Sequence, residues 1–245
     1  MNLEDFPEDV KSDIEDQSLS IFEHIKDDIV VIGGWAVRAL LGKKHGRYTL
    51  DVDGVANEND FDYIEKKLKR IGLNVCRKDW GIQFYQKYRP SFKIPKEIDS
   101  EVAKIELRIQ ISGPRIEERE SDHYFEFSLT EYEKKEISYH FKDKKILVRT
   151  PFVEDMAAVK LGLPVDYKNN YDAQMLLTIC NVEKVVKSIK SNDKWIEMVI
   201  RRIPKIKGRL KDKDRLEHIL LVSRGINIKK QISLLKQIEE NLSNH

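Results

Sequence analysis

IVVIGGWAVRALLGKKHGRYTLDVD, residues 29–53, sets out a strand, a glycine turn, a helix, a loop and a second strand. The apolar run 29–32 ends at Gly33-Gly34, and an apolar helix then follows from Trp35 to Leu41. Side chains alternate along a strand, so residues 49–53 put Asp51 and Asp53 on one face and Leu50 and Val52 on the other. Two neighbouring carboxylates repel, and both stay ionised most readily with a cation between them. Mg²⁺ suits such a pair, because it takes one or two carboxylates and completes its shell with substrate phosphates. The glycine turn offers the second half of such a site. Glycine lets the backbone approach a ligand closely, and a helix N-terminus presents free N–H groups to phosphate. The competing reading is a strand end entering a turn, since Asp and Gly favour turns.

The order Gly-Gly, helix, Asp-apolar-Asp resembles the signature of polymerase-β-type nucleotidyltransferases. On that resemblance Gly33 and Gly34 match the glycine pair, and Asp51 and Asp53 match the two metal-binding carboxylates. Arg47 and Thr49 resemble the Arg and Ser/Thr that commonly precede the aspartate strand. The family pattern implies a third carboxylate on a later strand. Glu106 fits it, with Glu where Asp is commoner, and Glu126 is the next candidate; the competing reading makes Glu106 the solvent-facing half of an ion pair with Lys104 or Arg108. Farther on, RTPFVEDMAAVKLGLP and NNYDAQMLL resemble the abortive-infection (AbiEii-type) toxin branch. There an apolar helix carries a lysine and the next helix opens with an aspartate, matched by Lys160 and Asp172. The resemblance implies an NTP substrate seated by Gly33, Gly34, Arg47, Thr49, Lys160 and Asp172. It also implies Mg²⁺ or Mn²⁺ on Asp51, Asp53 and Glu106, and catalysis by the same three. An RNA acceptor, in particular a tRNA 3′ end, and an antitoxin protein are the partners it implies.

The chain has 245 residues, 40% apolar and 35% charged, with no run of ~18 apolar residues that would suggest a membrane span. Its acidic first residues do not read as a secretory signal. Cys76 and Cys180 lack the spacing of a zinc site or a disulfide framework, which points to the cytoplasm. Charge is unevenly spread. Residues 1–30 carry ten acids and two lysines, a net −8, while residues 184–215 carry twelve Lys and Arg and four acids, a net +8. Within that basic stretch Arg201, Arg202, Lys205, Lys207 and Arg209 are candidate RNA-phosphate contacts; the bland alternative is a solvated helix face.

Periodicity predicts helices over 9–26 and 58–71, the latter ended by Gly72, and strands over 73–76, 81–86, 102–111, 123–129, 137–141 and 146–148. Residues 88–99 read as irregular, and residues 142–145 as a hairpin turn. Arg38 either reaches a phosphate or snorkels outward, and His45 reads as a solvated loop residue. Thr150-Pro151 reads as a helix start, after which the chain is helix after helix. The expected fold is α+β. A nucleotidyltransferase-type mixed β-sheet with flanking helices forms a catalytic domain over 1–150, and an all-α C-terminal region occupies 151–245. The function expected is NMP transfer from an NTP to an acceptor hydroxyl. A small-molecule (antibiotic-type) acceptor, or a catalytically inactive binding module with the same fold, are the alternatives.

Overall fold

In the structure, a computed structural model that describes residues 6–118, 123–139 and 143–243, the chain divides into two compact units. One comprises Met1–Pro114 and Phe127–Pro151, the other Arg115–Glu126 and Phe152–His245. The first half of the chain runs α1 (Glu8–Glu23), β1 (Val30–Ile32), α2 (Gly33–Leu41), β2 (Val52–Val55), α3 (Phe61–Arg70), β3 (Asn74–Lys78), β4 (Gly81–Lys87), α4 (Lys96–Val102) and β5 (Glu106–Ser112). It continues as β6 (Arg115–Glu118), β7 (His123–Glu126), β8 (Glu133–Ser138) and β9 (Lys145–Thr150). Helices α5 (Val153–Gly162), α6 (Tyr167–Leu176), α7 (Val182–Ile189), α8 (Asp193–Lys211), α9 (Leu216–Ser223) and α10 (Ile228–Ser243) follow. The second unit takes hairpin β6–β7 from ahead of residue 150, so its sequence is discontinuous. The expected strand end at Phe141 and turn residue Lys142 lie outside the described residues. No helix among the described residues is long and apolar enough to cross a membrane.

The fold is α+β, built in the first unit on a five-stranded mixed sheet of order β1-β2-β5-β4-β3. β2 and β5 are parallel, and every other neighbouring pair is antiparallel. Alternation gives the sheet one dry face. Val52, Ile109, Phe84, Ile82 and Ile111 are each at most 2% exposed and stand on neighbouring strands in register. The other face carries Asp53 level with Gln110, which is in turn level with Gln83. That polarity difference is the two-residue period of the sequence made spatial.

Four boundaries differ from the sequence reading. The strand expected over 102–111 begins at Glu106, because Pro95 starts helix α4 and Glu97 and Asp99 favour its first turn. The strand expected over 49–53 begins at Val52, which leaves Asp51 just ahead of the ladder. Thr150 is the fully buried last residue of β9 and not a helix cap; α5 starts after Phe152. β6 was not visible as a strand, since RIEE lacks an apolar alternation. The irregular stretch after β4 is tied down by Asp13 of α1. That carboxylate accepts hydrogen bonds from Tyr88 Oη (2.6 Å), Ser91 N (3.0 Å) and Ser91 Oγ (2.7 Å). Burial works against its charge, but these bonds outweigh burial and hold its carboxyl below the usual range.

Arg38 neither reaches a phosphate nor snorkels. It is 2% exposed, pairs with Glu15 of α1 at 2.5 Å, donates to the Ser138 carbonyl of β8, and lies over the Trp35 ring. Desolvation pushes its pKa down, and the Glu15 carboxylate opposes that loss. The pair ties two helices and a strand at one buried point. Breaking such a pair strands a buried charge at a cost of about 3–5 kcal/mol, whereas an apolar replacement of both partners is close to neutral. Glu15→Ala is therefore expected to lower unfolding free energy by about that amount in urea titration. The double variant Glu15→Leu/Arg38→Met should recover most of it. A single variant that loses under about 1 kcal/mol would show that the pair does not hold the elements together.

Candidate functional site

The site starts from a backbone conformation. Gly33 has φ of +64°, a region open to glycine at little cost, and it is the first residue of α2. Ile32, its predecessor on β1, is level with Asp53 on β2. A Cβ on Gly33 would overlap the Asp53 carboxylate. On Gly34 it would stand 2.7 Å from Thr49 Oγ1 and 3.0 Å from Arg47 Nη2. Gly33, Gly34, Arg47, Thr49 and Asp53 therefore meet at one point, where the unbonded N–H groups of the first α2 turn open. Arg47 is only 5% exposed and donates to the Tyr48 carbonyl, so its guanidinium is held in place against the turn. His45, expected as a solvated loop residue, is fully buried in the same loop.

Glu106 lies on the sheet face of Asp53, because Gln110, two strand pairs along β5, is level with Asp53. Val52 is level with Ile109, so Asp51 and Arg108 each immediately precede a residue of that pair, and the Asp51 charge acts on Arg108. Arg108 Nε lies 2.7 Å from Glu106 Oε2, and its pKa is raised by that hydrogen bond and by the charges of Glu106 and Asp51. Among the described residues no three His, Cys, Asp or Glu side chains come together as ligands for a metal ion. The donor set thus fits a divalent cation held by Asp51 and Asp53 and completed by phosphate oxygens at the α2 N-terminus. It does not form a ready cage of three protein carboxylates. The alternative weighed for Glu106, an ion pair with Lys104 or Arg108, is met by Arg108. Glu126, the second choice for third carboxylate, ends β7 as an exposed residue of the second unit.

Lys160 and Asp172 meet inside the second unit. Their side chains are 6% and 0% exposed, 3.0 Å apart, and Lys160 Nζ also donates to Asn169 Oδ1 at 3.2 Å. Asp172 does not open its helix as expected. Asp166 caps α6 by accepting from Asn169 N at 2.7 Å, which leaves Asp172 in the helix interior. The five tail cations on α8 are unequal. Arg202 is buried, Lys207 pairs with Glu239 at 2.5 Å and Arg209 pairs with the buried Glu217, while Arg201 and Lys205 are exposed. Cys76 and Cys180 are free thiols, and burial pushes the Cys180 thiol up to about 12.

No protein-family model matches the chain, and no curated protein does. Solved structures do. JHP933 from Helicobacter pylori aligns over 94% of this chain and 92% of its own, at 14% identity and a TM-score of 0.50. The lincosamide antibiotic adenylyltransferase LnuA, bound to lincomycin, aligns over 66% of this chain and 93% of its own, at 20% identity and a TM-score of 0.41. The antibiotic-resistance factor ANT(2'')-Ia aligns over 74% of this chain and 89% of its own, at 14% identity and a TM-score of 0.44. At such identities the likeness to JHP933 is one of fold.

The close approach of Gly33 to the Asp53 carboxylate makes the two positions energetically dependent on each other. Gly33→Ala is expected to destabilise the protein by about 1–2 kcal/mol from the left-handed backbone alone, with further loss from the overlap. In an Asp53→Gly background the overlap disappears, so the same substitution should cost less. A double-mutant cycle in urea checks this, and additive costs would mean that the turn and the carboxylate do not touch.

Proposed function

We propose that the protein is a metal-dependent nucleotidyltransferase of the polymerase-β type, moving an NMP group from an NTP to an acceptor hydroxyl. The observation that carries the proposal is the α2 N-terminus opening against the Asp53 carboxylate across a glycine turn. A helix N-terminus attracts phosphate, and a carboxylate at the same point repels it. A divalent cation between them reconciles the two, and that is the arrangement an NTP–Mg²⁺ or NTP–Mn²⁺ complex requires.

In this reading Asp51 and Asp53 hold the cation, which when bound would neutralise the triphosphate and polarise the reacting phosphorus. The N–H groups of Gly33 and Gly34 seat phosphate oxygens, and the buried Arg47 guanidinium beside Gly34 offsets charge on the leaving pyrophosphate. Thr49 Oγ1, at the same turn, donates to the same group of oxygens. The acceptor oxygen bonds to the α-phosphorus, and the bond to the bridging oxygen breaks, its electron pair leaving with pyrophosphate. The hydroxyl proton passes to Glu106, the third carboxylate of that sheet face. Lys160 and Asp172 form a buried pair with Asn169, which supports a role in holding α5 against α6. NTP contact by Lys160 would require that pair to open.

Asp51→Asn and Asp53→Asn should each cut transfer from labelled NTP by at least about 10³-fold, the size of several kcal/mol of lost charge stabilisation. Thermal stability should hold or rise, since one of two like charges is removed. Transfer at the parent rate in either variant rejects the proposal.

An RNA acceptor, such as a tRNA 3′ end in a toxin-like role, draws support from the net +8 of residues 184–215. Arg202 is buried, Lys207 and Arg209 pair with carboxylates, and Arg201 and Lys205 are exposed at the surface. Each phosphate contact contributes about 0.7–0.9 to the log–log salt slope of binding. Arg201→Gln/Lys205→Gln should therefore flatten the slope for total tRNA by roughly 1.5 and leave NTP binding unchanged. An unaltered slope turns the choice to a small hydroxylated acceptor, which needs no basic track.

A further inference from the structure

The sheet face that carries Asp53 holds one cation of its own beside the aspartates. Arg108 projects from β5 with the same parity as Glu106 and Gln110, immediately precedes Ile109, the partner of Val52, and feels the charge of Asp51. Its Nε is 2.7 Å from Glu106 Oε2, a charge-assisted hydrogen bond of ordinary length. The pair is partly exposed, with side-chain exposures of 46% for Arg108 and 29% for Glu106. The hydrogen bond to Glu106 and the charges of Glu106 and Asp51 favour the charged guanidinium. The opposing strand adds no negative charge there. Tyr85 faces Arg108 and Lys87 faces Glu106 on β4, so a second cation side chain already stands across from the glutamate.

A divalent ion shared by Asp51 and Glu106 would therefore have to enter beside a guanidinium bonded to one of its ligands. Like charges at a few ångströms repel strongly wherever water is partly excluded. Arginine does not deprotonate at any pH an enzyme meets, so the repulsion cannot be relieved by losing a proton. Arg108 can, however, supply what a second ion would. It offers a fixed positive charge and several donors, of which the bond to Glu106 uses one.

We propose that Arg108 takes the place of a second metal ion, so that the site loads one divalent cation, on Asp51 and Asp53, with the guanidinium as its permanent second positive charge. The inference rests on the nucleotidyltransferase reading above and specifies the charge arrangement of that site. Glu106 then serves first to position Arg108 and is not a metal ligand.

The test counts bound Mn²⁺ by electron paramagnetic resonance at saturating α,β-methylene ATP, CTP, GTP and UTP in turn, with nucleotide-only blanks subtracted. The parent protein should bind one Mn²⁺ per chain with the nucleotide it accepts. Arg108→Ala, which frees Glu106 on a partly exposed strand position, should bind two. Arg108→Lys, which keeps the charge, should stay at one and so separates charge from loss of packing. Two Mn²⁺ in the parent, or one in Arg108→Ala, overturns the assignment of Arg108 and leaves the nucleotidyltransferase reading standing. No nucleotide-dependent Mn²⁺ in the parent or either variant overturns both.

Discussion

The contact between the Gly33 turn and the Asp53 carboxylate is the constraint from which the first unit's site is built. It exists because β1 ends at Ile32, directly level with Asp53, and because α2 begins without a single intervening residue. Such an abrupt passage from strand to helix needs a left-handed residue, and a side chain there would collide with the carboxylate. The same passage aims the open N–H groups of a helix at a negative group, an arrangement that is unfavourable to an anion unless a cation joins it. Sequence order, backbone strain and electrostatics thus converge on one residue pair. The dry face of the sheet, with Val52 and Ile109 in register, fixes the level of β2 against β5 and so the spacing of every charge on the wet face.

What the sequence made legible was local and periodic. The strand-turn-helix at residues 29–41, the alternation in β5 and the separate strands β3 and β4 all declare themselves through spacings of two or 3.6 residues. Gly33, Gly34 and Asp53 could be read as neighbours because one short connection joins them. Pairing register is a long-range property, and no spacing within the chain reveals it. The register that sets Val52 level with Ile109, and so Arg108 next to that pair, could not be read from the sequence. One slip by two residues along β5 would have put Glu106 in that place without altering any sequence pattern.

Charged residues were the least legible class, and for one physical reason. A side chain such as Arg38 looks the same in sequence whether its partner is water, a phosphate or Glu15, and its partner here lies 23 residues earlier in the chain on α1. Lys160, Lys207 and Arg209 repeat the lesson with Asp172, Glu239 and Glu217. Net charge of a stretch counts paired and exposed cations equally, so the +8 of residues 184–215 does not by itself say which of its cations could meet a ligand.

Pairing also changes how the candidate site must be read. Glu106 fits the position of a third carboxylate by its place on a strand and its face of the sheet, but a carboxylate bonded to arginine presents a dipole and not a bare charge. Asp51 and Asp53 are separated in the sequence only by Val52, which points into the dry face. The repulsion between these two is what a cation would relieve, and the attraction between Glu106 and Arg108 is what it would have to overcome. Identical chemistry at the level of residue type becomes opposite electrostatics once the neighbours are known. Under the proposed one-metal arrangement, the affinity of this face for metal turns on position 108, a residue that belongs to none of the motifs that first drew attention to the chain.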